Sequence, residues 1–186
     1  MVRALKLLAV VLPAALTIAP AVQAQKGAGS GRAYNAGYTD IGPVVGFGNL
    51  GSANIALGGR FEHAIKTLPD LGDGVLGIEV SADYYHWSNV YAGTDYGFSY
   101  MPIGATANYH FKVSSNGKVD PFLGLGLGYL SVSTKYGGSY DGSGIYFIGR
   151  AGIRYFMNPH MAVYGDLGAG AATVSAGLMF GLGGGK

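Results

Sequence analysis

One-by-one alternation of residue character is what most constrains this chain. Successive side chains of a strand point to opposite faces, so a period of two marks β-structure and a period near 3.6 marks helix. Over 76–84, Leu76, Ile78, Val80, Ala82 and Tyr84 share one face, and Gly77, Glu79, Ser81 and Asp83 the other. Over 101–111, Met101, Ile103, Ala105, Ala107, Tyr109 and Phe111 oppose Pro102, Gly104, Thr106, Asn108 and His110. Over 123–129, Leu123, Leu125, Leu127 and Tyr129 oppose Gly124, Gly126 and Gly128. Over 145–155, Ile145, Phe147, Ile153 and Tyr155 oppose Tyr146, Ile148, Arg150 and Arg154. Over 173–180, Val174, Ala176, Leu178 and Phe180 oppose Thr173, Ser175, Gly177 and Met179. Weaker versions over 41–48, 54–65 and 161–167 bring the strands to eight. No stretch after residue 25 has a convincing helical period.

Gly, Asn, Asp, Ser and Pro, which supply positive φ, local side-chain bonds or a fixed φ, fall between these runs. They predict turns at 49–52, 66–74, 88–97, 112–119, 135–144, 158–160 and 168–170. Eight strands with seven turns leave both chain ends on one side. The expected architecture is all-β: an eight-stranded antiparallel up-and-down transmembrane β-barrel.

The direction of the apolar face decides between two barrels. A soluble ligand-binding barrel hides that face inside; a membrane barrel shows it to lipid and keeps polar groups in the lumen. Here the apolar faces carry no charge over spans of the length that crosses a bilayer. The opposite faces combine glycine with Arg60, Glu62, Glu79, Asp83, Arg150, Arg154 and Asp166, three positive and four negative groups. An eight-stranded lumen is just filled by side chains, so small glycines beside paired charges suit it. A one-residue slip exchanges the faces, and an Arg turned to mid-bilayer lipid costs about 2–4 kcal/mol. Aromatic clusters point the same way. Tyr84, Trp87, Tyr91, Tyr96, Phe98 and Tyr100 gather around one turn, and Tyr109, Phe111, Tyr155 and Phe180 lie near opposite strand ends. Such rings are expected at the two membrane–water boundaries.

The start of the chain reads as a secretory signal over residues 1–24. Arg3 and Lys6 precede an uncharged run, and Val22-Gln23-Ala24 offers small residues for cleavage. Removing those 24 from 186 residues leaves 162, with ten basic and ten acidic residues and all 34 glycines. That neutrality, without a basic patch, excludes a nucleic-acid partner. The absence of Cys excludes disulfides and thiol chemistry. Residues 25–40 then form a periplasmic segment, 41–182 the barrel and 183–186 a tail. Short turns belong to the periplasm and long loops to the outside, which puts 158–160 inside and 88–97 and 135–144 outside. The turn at 66–74 is long for the periplasmic side.

At this point the chain resembles the small OmpA/OmpX-type outer-membrane barrels, the outer-membrane protein β-barrel domain family, over roughly 41–182. The resemblance rests on the leader, on the run from Asp120-Pro121-Phe122 through Tyr129, on Gly149-Arg150-Ala151-Gly152-Ile153-Arg154-Tyr155, and on a last strand with Phe180. It implies the cell outer membrane, contact with lipid and lipopolysaccharide, and insertion by the barrel-assembly machinery. Proteins of this kind often end in an aromatic assembly signal, a role open here to Phe180 or Leu182.

Chemistry-bearing patterns are few. His63, His86, His110 and His160 have no metal-ligand spacing, so no metal is expected, and no cofactor either. The charged lumen set reads as a structural network, since buried charges must be paired. His86-Trp87-Ser88-Asn89 resembles the His-x-Ser-Asn motif of outer-membrane lipid A deacylases, which implies His86 as base, Ser88 as nucleophile, Asn89 beside them and Asp95 as the nearest acid. The expected role is structural or surface-interacting, not enzymatic. The alternatives are a small porin-like channel or transporter and, second, a lipid A-modifying hydrolase.

Overall fold

A computed structural model describes residues 33–113, 117–135 and 142–183. The expected leader at 1–24, the first part of the expected periplasmic segment at 25–40, and residues 184–186 of the expected tail at 183–186 lie outside these residues. Eight strands run β1 Thr39–Phe47, β2 Ala56–Leu68, β3 Gly74–Tyr91, β4 Thr94–His110, β5 Val119–Thr134, β6 Gly144–Asn158, β7 Met161–Ala169 and β8 Val174–Gly183. Each pairs antiparallel with its sequence neighbour, and β1 closes the ring on β8. The β1–β8 ladder skips Gly42 and Pro43, resuming at Val44↔Gly177. A proline has no N–H to give there.

Burial follows the alternation in the sequence. Leu125, Ile153 and Phe147 are 75%, 50% and 83% exposed on the outside of the ring. Arg60, Glu62, Glu79, Asp83, Arg154 and Asp166 are buried inside it, with Arg150 largely so. Closure removes every sheet edge within the ring, and pleating sends each second side chain to the lumen.

The predicted turns differ most from the structure in two places, besides the turn expected at 168–170, which lies at 170–173 because β7 runs to Ala169. β2 continues to Leu68, and a 3-10 turn at Pro69–Leu71 with left-handed Gly72 takes up most of the rest. The larger correction is at 88–97. Here β3 and β4 continue to Tyr91 and from Thr94, leaving only Ala92 and Gly93 as the turn, both with positive φ. That is the geometry of a tight hairpin whose twist matches its strands. β3 and β4 therefore stand taller than β7, β8 and β1, which have nine or ten residues. The aromatic-boundary expectation changes as well. Tyr84 faces outward, but Trp87, Phe98 and Tyr100 lie on the hairpin's inner side and stack there. Ring centroids are 5.9 Å apart for Trp87–Phe98 and 4.8 Å for Tyr85–Tyr100.

Two apolar clusters fill the ends of the lumen. At the end bearing the chain termini, Tyr34, Tyr38, Val75, Phe122, Phe156, Tyr164 and Met179 pack together. At the far end, Leu50 from the β1–β2 connection packs on Ala56 and Tyr85, against Tyr100 and Ala172.

Candidate functional site

Between those clusters the lumen holds two layers of charge. The far layer is built by β2, β3, β6 and β7. Arg60 reaches Asp83 at 3.0 Å and Glu79 at 3.7 Å, and Arg150 reaches Glu79 at 2.5 Å and Asp166 at 3.7 Å. The Tyr164 hydroxyl donates to Asp166. All of the sequence-predicted lumen residues except Glu62 and Arg154 meet in this layer.

Those two belong to the second layer, nearer the chain termini. Arg154 pairs with Glu62 and lies 3.4 Å from Asp40. His110 sits between two carboxylates, with Nε2 2.8 Å from Glu62 and Nδ1 2.8 Å from Asp120. Two acceptors facing two ring nitrogens are both satisfied only when the imidazole carries two N–H groups. Rings pack around the Arg154 guanidinium, whose Cζ is 4.9 Å from the centre of Tyr34, 5.7 Å from Phe122 and 5.9 Å from Tyr164. The Asn108 amide adds a bond to the far layer, donating to Glu79 at 3.3 Å.

Sequence reasoning missed Asp40, Asp120 and His110 as network members. Asp40 and Asp120 lie next to the predicted strand runs, one position outside 41–48 and three outside 123–129. Their in-register partners Glu62 and Arg154 were the available signal. With them the described lumen holds six carboxylates against three guanidinium groups and one imidazole, so the near balance expected from seven residues becomes an acidic excess.

Small residues make room for these long side chains. A Cβ on Gly77 would overlap the Glu62 carboxylate and the Tyr34 hydroxyl, and one on Gly58 the Asp83 carboxylate. The remaining far-layer space is a cavity of about 20 Å³ lined by Arg60, Asp83, Arg150, Asp166, Tyr146 and Ser175, among others. That is room for a water molecule rather than a solute. Among the described residues, no group of His, Cys, Asp and Glu is arranged to hold a metal ion.

Before β1, burial and the nearby Asp40 push the Tyr38 phenol up to about 12, and burial with Glu62 beside it holds that of Tyr34 well above its ordinary value.

The alternative catalytic set is not brought together. His86 and Ser88 share the outward face of the tall hairpin, but His86 Nδ1 lies 3.1 Å from Ser99 Oγ, and Ser88 stands opposite Gly97. Ser99 also accepts from the Tyr84 hydroxyl at 3.4 Å. Asn89 has the opposite parity, and Asp95 occupies the register position facing Val90.

The family model described as outer membrane protein beta-barrel domain matches residues 7–181. No curated protein matches the chain in sequence. Among solved structures, a de novo designed transmembrane β-barrel is 17% identical, with 80% of this chain and 98% of that one covered and a TM-score of 0.51. The outer membrane protein OprG from Pseudomonas aeruginosa is 15% identical, with 79% and 90% covered and a TM-score of 0.52. At such identities the likeness is one of fold.

Proposed function

The chain belongs to the outer-membrane protein β-barrel domain family, and from that premise we propose a closed barrel with a structural or surface-interaction role rather than a conduit. Its place is the outer membrane, in contact with lipid and lipopolysaccharide. The observation that carries the reading is the pair of charge layers, in which each guanidinium lies within 4 Å of two carboxylates. A water path through them must break buried ion pairs, and leaving such a charge unpaired costs about 3–5 kcal/mol. The apolar clusters at the two ends add to the closure.

In this reading residues 1–24 are the leader and the segment from 25 leads from the periplasm to β1; the ladder moves the barrel bounds expected at 41 and 182 out to Thr39 and Gly183, and 184–186 are the tail. The chain-terminus end then faces the periplasm, and the tall β3–β4 hairpin stands outside, presenting exposed Asn89 and Tyr96 to partners at the surface. Phe180 and Leu182 both face outward on β8, where the barrel-assembly machinery can read an aromatic or aliphatic ending. The lumen residues Arg60, Glu62, Glu79, Asp83, Arg150, Arg154 and Asp166 hold the structure and bind no ligand.

Planar-bilayer recording tests this reading. Purified protein is expected to give no steady conductance, and reproducible long-lived open states would overturn it in favour of the small channel.

A further inference from the structure

Residues 33–38 cross the mouth of the lumen at the chain-terminus end without forming a strand. They are tied on one side to β2, where the Gly37 N–H donates to Ala64 O at 2.8 Å and the Ala64 N–H to Tyr38 O at 2.8 Å. On the other side the Ala33 N–H donates to Gly117 O at 3.2 Å, in the connection between β4 and β5. Between these ties two side chains drop inward. Tyr34 is 1% exposed and lies flat on His110, with ring centres 3.9 Å apart and planes at 22°. Tyr38 packs edge-on against Tyr34 and Phe156.

The barrel is closed without this segment, because the β1–β8 ladder begins at Thr39↔Gly183. What the segment covers is polar. Beneath it Arg154 Nε, Asp40 Oδ1 and the Tyr38 hydroxyl are buried without a hydrogen-bond partner among the described residues, and Arg154 Nη1 and Asp40 Oδ2 meet as an ion pair at 3.4 Å without a hydrogen bond. Donors and acceptors left together in this way are groups that water would satisfy. The strap thus sits on a floor that gains hydration when the strap lifts, and it is held by few backbone bonds. Segments of that kind open locally well below the free energy of global unfolding.

We propose that residues 33–38 are a removable strap. Closed, it keeps solvent off the layer formed by Asp40, Glu62, His110, Asp120 and Arg154. Lifted, it admits water and small ions to that layer while the eight-stranded ring and the far charge layer stay intact. The strap controls access to the lower lumen and opens no channel through the barrel, so it can fail without the closed-barrel reading failing.

The chain has no cysteine, so Val75→Cys supplies a single thiol. Val75 is buried in the same cluster as Tyr34 and pairs with His110 across the ladder. A small charged methanethiosulfonate should modify this thiol slowly in folded protein. With Tyr34→Ala and Tyr38→Ala added, the rate should rise roughly tenfold or more while heat-modifiable migration on gels is kept. Equal rates with and without the two tyrosines, fast or slow, would overturn the strap. Hydrogen exchange on the unaltered protein needs no variant to fold. The Gly37 and Ala64 amides should exchange roughly a hundredfold faster than the Phe61 and Val80 amides of the central ladder, yet slower than an unstructured chain. Protection equal to the ladder, or none at all, would contradict the proposal.

Discussion

The lower and upper halves of β3 obey one alternation with two different meanings. From Leu76 to Tyr84 the outward residues are apolar and the inward ones are Gly77, Glu79, Ser81 and Asp83, because hydrocarbon lies on one side and a packed lumen on the other. From Tyr85 to Asn89 the contrast reverses. Aromatic Tyr85 and Trp87 point inward, and His86 and Ser88 point outward and are exposed. With the upper hairpin placed above the membrane, as proposed, the strand keeps its geometry and loses its code, since neither face would meet lipid there.

That contrast can be broken or sharpened by substitution. The largest effect is expected in the lumen. Arg154→Met leaves the Asp40 and Glu62 carboxylates buried without their guanidinium and should cost about 3–5 kcal/mol, read from urea unfolding in lipid vesicles. Adding Glu62→Gln should return part of that loss, because it removes one stranded charge; no recovery would mean the pair is not coupled. Next come matched charges on the two outward faces. Leu125→Arg should cost about 2–4 kcal/mol, whereas Ser88→Arg should change stability by less than about 0.5 kcal/mol. Equal penalties would place the upper hairpin in hydrocarbon and erase the distinction. Trp87→Ala removes one ring of the inner stack and should cost about 0.5–1.5 kcal/mol without moving the lumen pairs. The smallest expected effect is on lipid chemistry. Cells carrying Ser99→Ala, Ser88→Ala or His86→Ala should show lipid A acylation identical to wild type by mass spectrometry. A loss in any of the three would restore the hydrolase.

What could be read from the sequence follows the same line. Wherever one face met lipid, the pattern settled strand, face and lumen charge together, down to Arg150 and Arg154 pointing inward on β6. It failed at 88–97, where the Asn, Gly and Asp that suggest a turn sit within a hairpin whose actual turn is two residues. It also failed at strand ends. Asp40 and Asp120 looked like flanking residues, yet register places them opposite Glu62 and Arg154. His110 was read as one polar residue on an inward face, with nothing in its neighbours to announce two carboxylates from distant strands. The inward fold of Tyr34 and Tyr38 has no periodic signature, because it is made by packing on His110 and Arg154 rather than by a repeat.

The most direct test is a collision scan along β3 with single spin-labelled cysteines in lipid bilayers, using oxygen as the hydrocarbon probe and a nickel chelate as the aqueous one. The account predicts that oxygen dominates at Ile78, Val80 and Ala82, that neither probe reaches Ser81, and that the chelate reaches His86, Ser88 and Asn89. Oxygen contact at Ser81 together with chelate contact at Ile78 and Ala82 would contradict it.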